Sequence, residues 1–275
     1  MVTGATGLLG SHLLCHLARC GETIIALKRY KSHVEETMAL FSCYFDSPGD
    51  AISRVTWVVG DVLDGESVAP FVEKVDTVYH CAAMVSFNGS DRNTLLETNI
   101  KGTENICKIC LERGVRLCFV SSIAALGDAP NESVVIDENT PEISGSVHSL
   151  YSGSKGESEK IVWESVRQGL DVVIVNPAII LGAGLRGRSS VAISRKRNWR
   201  AISSAASRFV FNAVSSILRS LVARPEFTTI GQQKFRDFAH RSAIGFIKSL
   251  LAVFYDRAQR HDNCATTYCS VRRPT

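Results

Sequence analysis

The sequence lacks an apolar run long enough to cross a membrane. Its longest apolar stretch near the end, 243–255, contains Lys248 and is shorter than the ~20 apolar residues that a bilayer span requires. Nothing before Gly4 resembles a secretion signal, and the 9 cysteines are scattered among apolar positions instead of forming a disulfide framework. We therefore expect a protein of the reducing cytoplasm.

Few of the cysteines have the spacing that is typical of a metal site. Cys107 and Cys110 have C-x-x-C spacing, but no second pair of this kind accompanies them, and Cys264 and Cys269 are spaced too widely. Because Cys107 and Cys110 fall within a predicted helix, we interpret them as buried structural thiols. The sequence predicts no metal site.

The two parts of the chain carry opposite net charges: acidic residues outnumber basic residues in the first part, and basic residues outnumber acidic residues in the second. Residues 1–185 hold 14 basic and 23 acidic residues, a net charge of −9, whereas residues 186–275 hold 17 and 4, a net charge of +13. The overall charge of +4 therefore conceals two parts of different chemistry.

The acidic part alternates between apolar strands and amphipathic helices. After a strand tail at 1–3, strands are predicted at 23–27, 55–59, 77–81, 117–120 and 172–175, and helices at 11–20, 98–113 and 154–168. This alternation indicates an α/β fold in which a parallel sheet is covered on both faces. No internal repeat or low-complexity tract interrupts it.

Three glycines mark the turn after the first strand. Gly4, Gly7 and Gly10 form G-x-x-G-x-x-G, a spacing that permits a tight turn, close approach to a pyrophosphate and close helix–strand packing. Ordinary turn chemistry would also explain three glycines. The strand before them and the helix after them favour a dinucleotide site.

The end of the second predicted strand lacks an acidic residue. A carboxylate there would bind the ribose 2′-hydroxyl of NAD, but this chain has Lys28, Arg29 and Lys31, which suit a 2′-phosphate. A solvated basic loop is the alternative. The pattern favours NADP, with NAD as the other possibility.

Tyr151 and Lys155 form a Y-x-x-x-K pair downstream of Ser121 and Ser122. Positions i and i+4 share a helix face, so the Lys155 ammonium is expected near the Tyr151 phenol and would lower its pKa. A phenol with a lowered pKa is a suitable general acid for hydride-transfer chemistry. The alternative is a chance surface pair.

These motifs together resemble the extended short-chain dehydrogenase/reductase family, and within it the dihydroflavonol reductase-like and 3β-hydroxysteroid dehydrogenase-like branch. The resemblance covers about residues 1–190. The motifs that carry it are T-G-A-T-G-L-L-G (3–10), G-D-V (60–62), H-C-A-A (80–83), T-N-I-K-G-T-E-N (98–105), V-S-S-I-A-A-L-G (120–127), Y-S-G-S-K (151–155) and N-P-A-I-I-L-G (176–182). The resemblance implies a Rossmann-type doubly wound parallel sheet that binds NAD(P).

The resemblance also implies roles for individual residues. Tyr151 would donate the proton, Lys155 would lower its pKa and hold the nicotinamide ribose, and Ser122 would orient the substrate. Asn99 matches a helix residue tied to the proton relay. The cofactor-binding positions implied are Gly4, Thr6, Gly7, Leu8, Leu9, Gly10, Arg29, Asp61, Val62, Ala82, Ala83, Tyr151, Lys155, Pro177 and Ile179.

From these residues we expect an oxidoreductase that reduces a small, partly apolar ketone or aldehyde, or oxidises the alcohol. Sugar-nucleotide dehydratases have Thr-Asp-Glu where this chain has Ser122, Ile123 and Ala124, which argues against dehydration. A nucleotide-sugar epimerase and a non-catalytic NADP(H)-binding regulatory protein or inactive fragment remain alternatives. We expect a homodimer, a small-molecule carbonyl or alcohol substrate and no nucleic acid.

The basic part, 191–275, matches no motif of the family from about residue 194 onward. It could bind an anionic partner, form a divergent substrate lobe, or result from a shifted reading frame, which is the explanation we favour on sequence. The glycine loop also begins so early that we expect the front of the first strand to be missing. The predicted domains are therefore a Rossmann domain at 1–190 and an atypical basic region at 191–275.

Overall fold

The computed structural model describes residues 1–86, 88–126, 149–177 and 180, together with the backbone of 269–272. The predictions for Ile179 and for the basic region up to residue 268 lie outside the described residues.

Seven strands form one sheet at the centre of the described fold. The strand order is β3-β2-β1-β4-β5-β6-β7, and the first six strands are parallel, which confirms the predicted Rossmann-type sheet. The strand bounds are β1 Val2–Thr3, β2 Ile24–Lys28, β3 Val55–Val59, β4 Thr77–His80, β5 Arg116–Val120, β6 Val172–Pro177 and β7 Cys269–Arg272. The strand order reverses between β1 and β4, so ligands are expected to bind at the carboxyl ends of these strands.

Helices cover both faces of the sheet. Their bounds are α1 Leu8–Arg19, α2 Glu35–Phe41, α3 Gly49–Ser53, α4 Gly65–Val72, α5 Arg92–Leu96, α6 Gly102–Arg113 and α7 Leu150–Arg167. One apolar core includes Val68, Ile106 and Val162 from α4, α6 and α7, and a second includes Leu13 and Phe41 from α1 and α2. Each sheet face is therefore buried against its own helix layer, as an all-parallel sheet requires.

The first strand is short, but its ladder begins at Met1. The amino group of Met1 donates to the Thr77 carbonyl at 2.7 Å, and the Tyr79 N–H donates to the Met1 carbonyl at 2.8 Å. Val2, whose side chain is buried, then pairs with Ala26 of β2 and Tyr79 of β4. Three residues are thus enough to connect the two halves of the sheet.

All three predicted helices differ from the sequence pattern. Helix α1 begins at Leu8, before the predicted start at 11. Helix α7 begins at Leu150, before the predicted start at 154, because the Ser149 hydroxyl caps it by accepting from the Ser152 N–H at 3.1 Å. The predicted helix 98–113 is divided into a π-helical turn, Glu97–Lys101, and α6. The early start of α7 brings Tyr151 into its first turn.

The structure also contains elements that the sequence did not predict. Helices α2, α3, α4 and α5 were not predicted, and neither was β7, which pairs antiparallel with β6. Within the described residues, no helix is long and apolar enough to cross a membrane.

Candidate active site

The predicted site residues follow the carboxyl ends of the strands. Each loop at this edge of the sheet begins where a parallel strand ends, so residues distant in sequence lie at one edge. They are Gly4 after β1, Arg29 after β2, Asp61 after β3, Ala82 after β4, Ser122 after β5 and Pro177 at the end of β6.

The glycine loop fits a dinucleotide because it leaves no space for side chains. Gly4 has a φ of +63°, and a Cβ there would lie 2.7 Å from the Ala82 nitrogen. A Cβ on Gly10 would overlap the Gly4 carbonyl oxygen. Helix α1 starts at Leu8 with Gly7 as its N-cap and no side-chain cap. This bare helix N-terminus beside a closely packed loop is suited to a pyrophosphate.

The remaining predicted cofactor residues surround this loop. Thr6, Leu8, Leu9 and Ala82 are half-buried, Ala83 is exposed and Pro177 is buried. They stay predictions, because no contact with a cofactor is described.

The segment predicted to contact adenine joins β3 to α6. Val62 is buried and packs against Gly102. A Cβ added to Gly102 would lie 2.8 Å from the Val62 Cγ2. The Asn105 amide donates to the Val62 carbonyl at 2.8 Å. Asp61 is half-buried, and its carboxylate accepts from the Leu63 N–H at 3.0 Å. The motifs G-D-V and T-N-I-K-G-T-E-N therefore pack directly on each other.

A buried chain of hydrogen bonds connects the glycine loop to the π-helical turn. The Ala82 N–H donates to the Thr3 hydroxyl oxygen at 3.2 Å, and that oxygen is 2.8 Å from His80 Nδ1. His80 Nε2 is 3.2 Å from the Thr103 hydroxyl, which donates to the Asn99 carbonyl at 2.6 Å. Because Thr103 donates to Asn99, it accepts from Nε2–H, and Nδ1 then accepts from Thr3.

His80 is consequently held neutral. Burial, with a smaller contribution from the nearby Lys155 ammonium, lowers the pKa of His80 to about 3. A neutral imidazole with one N–H satisfies the whole chain without a charge in the core.

Asn99 is buried, and protein groups occupy all of its polar atoms. Its amide oxygen accepts from the Met84 N–H at 2.7 Å, and its NH2 donates to the Met84 carbonyl at 3.0 Å and to the Ser154 hydroxyl at 2.9 Å. Its backbone carbonyl accepts from Thr103 and from Ser158. These contacts indicate that Asn99 positions the loop after β4 against α7, and its part in a proton relay stays a prediction.

The two serines after β5 have different environments. Ser121 is buried, and its hydroxyl donates to the Glu159 carboxylate at 2.6 Å. Ser122 is half-buried, its hydroxyl oxygen accepts from the Ala124 N–H at 3.2 Å, and it bonds to the Tyr151 side chain. Ser122 is therefore the serine available to a substrate beside Tyr151.

Tyr151 and Lys155 lie on the same side of α7, but the ammonium is not directed at the phenol. The Lys155 Nζ donates to the Val120 carbonyl at 2.8 Å and lies 4.9 Å from the Phe119 ring centroid. Burial lowers the pKa of Lys155 to about 8, against the raising influence of Cys81 and Glu159.

The pKa of Tyr151 differs in direction from the sequence prediction. Burial raises it above the ordinary value, and the hydrogen bond from Ser122 opposes that rise. The expected lowering by Lys155 is not what the structure shows, because the ammonium is engaged with Val120 and Phe119. Desolvation of the phenol outweighs the effect of its neighbours.

Beyond the glycine loop, basic side chains follow β2. Lys28 is half-buried, and Arg29, Tyr30 and Lys31 are exposed. No acidic side chain lies among 28–31.

The sequence reasoning missed Glu159 and gave no role to His80, Thr103 or Asn176. The spacing Tyr151, Lys155, Glu159 places one residue per helical turn on the same face of α7, and this spacing could have identified the glutamate. The Asn176 amide donates to Glu159 at 2.9 Å and to the Ser122 carbonyl at 3.0 Å. These contacts depend on long-range packing that no local pattern reveals.

The described residues contain no group of three or more His, Cys, Asp or Glu side chains that could hold a metal ion. His12 and His16 lie one turn apart on α1, but His12 Nδ1 bonds to the Tyr44 hydroxyl. Cys107 and Cys110 are buried, and burial raises the pKa of each thiol to about 12.

Comparison with known proteins gives a family match over most of the chain. The model for an NAD-binding domain described as "Male sterility protein" matches residues 2–223. This range continues past residues 190 and 194, where the sequence motifs ended.

Two relatives and one solved structure illustrate the similarity. Sterol demethylase protein B from Methylococcus capsulatus is 35% identical over 188 residues, which cover 66% of this chain and 51% of the relative. A putative dihydroflavonol 4-reductase from Synechocystis sp. is 31% identical over 182 residues, covering 66% and 49%. The terminal R domain from the myxalamid PKS-NRPS pathway has the same fold, with a TM-score of 0.58 and 24% identity over 82% of this chain and 62% of that one. The chain spans about half the length of the two relatives.

Proposed function

The chain belongs to the family described as male sterility protein, within the extended short-chain dehydrogenases/reductases, and from this membership we propose that it is an NADP-dependent reductase of a small, partly apolar ketone or aldehyde. The reverse reaction would oxidise the corresponding alcohol. The observation that carries the proposal is the grouping of Ser122, Tyr151 and Lys155 at the carboxyl end of β5, beside the glycine loop.

The glycine loop and the residues after β2 would hold the cofactor. Gly4, Gly7 and Gly10 leave room for a pyrophosphate, and Arg29, with Lys28 and Lys31, offers cations where NAD-dependent relatives would need an acid for the 2′-hydroxyl. When bound, NADPH supplies the hydride that reduces a carbonyl carbon.

The chain's own residues would supply the proton and the orientation. The Ser122 hydroxyl and the Tyr151 phenol lie within hydrogen-bonding distance of each other, so both can donate to one carbonyl oxygen. As the carbonyl is reduced, the phenol proton passes to that oxygen, and the Ser122 hydroxyl would stabilise the charge left on Tyr151. The Lys155 ammonium, which donates to the Val120 carbonyl, would have to turn toward the phenol to contribute. Tyr151 keeps its proton at neutral pH, but its raised pKa makes the phenol a weaker acid than the sequence predicted.

A partly apolar substrate is supported by exposed apolar side chains in the segments that follow β4 and β5. Val85 is 37% exposed and Ile123 is 47% exposed, and they follow β4 and β5 close to Met84 and Ser122 in sequence. Such exposed apolar residues at a polar site favour a ligand with an apolar part. The relative named as a putative dihydroflavonol 4-reductase agrees with a carbonyl substrate.

The test is consumption of NADPH with a panel of ketones and aldehydes. Tyr151→Phe removes the proton donor and keeps the ring, so we expect kcat to fall by ~10²–10⁴-fold while NADPH still binds. Tyr79→Phe, a tyrosine of β4 away from Ser122, is the matched control and should retain activity.

The other outcomes identify the alternatives. Interconversion of a nucleotide sugar without net NADPH consumption would indicate an epimerase. NADPH binding without turnover of any compound would indicate a regulatory or inactive NADP(H)-binding protein. Equal activity of wild type and Tyr151→Phe would contradict the proposed role of the phenol.

A further inference from the structure

Glu159 is a buried carboxylate to which the proposed reaction assigns no role. It lies on α7 one helical turn beyond Lys155 and is only 6% exposed. Its Oε2 accepts from the Ser121 hydroxyl at 2.6 Å and from the Asn176 amide at 2.9 Å. A buried charge is retained only where donors compensate its desolvation, and here the donors come from two other elements.

These two hydrogen bonds join α7 to the carboxyl ends of β5 and β6. The same Asn176 amide also donates to the Ser122 carbonyl at 3.0 Å, and the Ser121 N–H donates to the Val175 carbonyl at 2.8 Å. The Glu159 carboxylate therefore holds in place, through Ser121 and Asn176, the backbone segment that carries the Ser122 side chain.

The same region provides the acceptor for Lys155. Its Nζ donates to the carbonyl of Val120 at 2.8 Å, and Val120 directly precedes Ser121. The position of the ammonium and the position of Ser122 therefore depend on the same strand end.

The charges around Lys155 also make Glu159 distinctive. Cys81 from the loop after β4 and Glu159 from α7 raise the pKa of Lys155, and the ammonium in turn lowers the pKa of His80 in β4. Burial raises the pKa of Cys81 to about 12 and lowers that of His80 to about 3, so both are neutral near pH 7. Glu159 is the carboxyl group among them, and its interaction with the ammonium raises the pKa of Lys155.

We propose that Glu159 is a positioning residue that fixes the carboxyl ends of β5 and β6 for Ser122 and balances the buried ammonium of Lys155. The catalytic consequence rests on the proposed function, whereas the electrostatic and structural parts do not. Tyr151, Lys155 and Glu159 lie on successive turns of α7. In the proposal, Tyr151 is the proton donor, Lys155 is the buried cation, and Glu159 is the carboxyl group that balances this cation.

The electrostatic part is tested by measuring the Lys155 pKa directly. Lysines labelled with ¹³C at Cε are titrated by NMR in wild type and in Glu159→Gln, with the Lys155 resonance assigned from its loss in Lys155→Met. Removing an opposite charge should lower the Lys155 pKa by about one pH unit or more. Glu157→Gln is the control, because Glu157 is exposed on the same helix and pairs with Lys160 at 2.8 Å; it should leave the value unchanged.

The structural part of the proposal is tested by hydrogen exchange in a variant that keeps the Glu159 carboxyl group. Ser121→Ala removes one donor, so amides in 117–126 should exchange roughly fivefold faster, as expected for loss of about 1 kcal/mol of local protection. Ser165→Ala is the control: it removes another buried hydroxyl, which donates to the Ile161 carbonyl at 3.0 Å, and should leave 117–126 unaffected. This arm decides the proposal if Glu159→Gln does not fold.

The two arms separate this proposal from the proposed function. An unchanged Lys155 pKa in folded Glu159→Gln, or unchanged exchange of 117–126 in Ser121→Ala, would overturn the positioning role even if wild type reduces carbonyls. A lowered pKa and faster exchange would support it even if no carbonyl substrate were turned over.

Discussion

At the scale of single residues, the candidate site depends on contacts that tolerate no additional atom. The Gly10 Cα faces the Gly4 carbonyl, and Gly4 in turn approaches the Ala82 backbone. Both neighbours are backbone atoms, so neither can move as a flexible side chain would. The loop geometry is therefore sensitive to a single methyl group.

We expect Gly10→Ala to destabilise the fold by about 1–3 kcal/mol, as overpacking usually does, and to weaken NADPH binding by displacing the loop. Thermal unfolding and a binding titration measure the two effects. Gly156→Ala is the matched control, because nothing lies within 4 Å of its added Cβ and alanine is favoured over glycine within a helix. Equal effects of the two substitutions would contradict this explanation of the loop.

The buried His80 makes the free energy of unfolding decrease at acidic pH. Its pKa in the folded chain is about 3, below the ordinary value of 6.5, so between these values the unfolded chain binds a proton that the folded chain does not. The contribution is complete above about pH 6.5 and is lost as the pH falls toward 3, by up to ~1.4 kcal/mol per pH unit.

His80→Gln should reduce this acid sensitivity, because an amide can donate and accept without titrating. Urea unfolding at pH 7 and pH 5 gives the free energy of unfolding of each variant. The fall from pH 7 to pH 5 should be larger in wild type by about 1–2 kcal/mol. The same fall in both variants would show that His80 is not the responsible group.

At the scale of elements, α7 carries the three groups on which the proposed chemistry depends. It begins at Leu150 because the Ser149 hydroxyl accepts from the Ser152 N–H, so the cap sets where Tyr151 enters the helix. A weakened cap would fray the turn that holds the proton donor.

Ser149→Ala should lower the free energy of unfolding by about 1 kcal/mol, the usual loss for a serine N-cap. Ser149→Asp should retain most of it, because a carboxylate also accepts from the helix N–H groups and is favoured at a helix N-terminus. Chemical denaturation of the three proteins tests this. An equal loss in the alanine and aspartate variants would exclude capping as the cause.

The elements that the sequence predicted are those with a local signal. The five strands β2 to β6 follow from short apolar runs, and α1 from its apolar stripe. The π-helical turn at Glu97–Lys101 has no such signal, because the amphipathic pattern continues through it and the break is accompanied by contacts of Asn99 with Met84 and Ser154. Strand β7 pairs with a strand far away in sequence, which periodicity cannot reveal.

The candidate site likewise has features that the sequence predicted and features that it did not. The motifs predicted which residues lie together, and the pairing of Ser121 with Glu159 explains why Ser122 is the serine near Tyr151. The pKa of Tyr151 was expected to fall, but its direction depends on how deeply the phenol is buried and on where the Lys155 ammonium points. Both are results of tertiary packing.

At the scale of the whole molecule, six parallel strands bring the site residues that follow their carboxyl ends to one edge of the sheet. Strand β1 connects the two halves of the sheet, because Val2 pairs with both β2 and β4 and Thr3 pairs with β4. The family match and the strand order agree on an NAD-binding domain of the extended short-chain dehydrogenases/reductases. The reaction and the choice of NADP are proposals, since this chain spans about half of its relatives.

Thermal unfolding of the chain with NADPH, with NADH and without cofactor tests the proposed dinucleotide site at this scale. At a hundredfold excess over its dissociation constant, a ligand adds ~2.7 kcal/mol, which corresponds to a rise in Tm of roughly 5–10 °C. We expect this rise with NADPH and a smaller one with NADH, because Lys28 and Arg29 follow the strand at whose end the 2′-phosphate would bind. No rise with either cofactor, or a larger rise with NADH, would contradict the proposed NADP-dependent reductase.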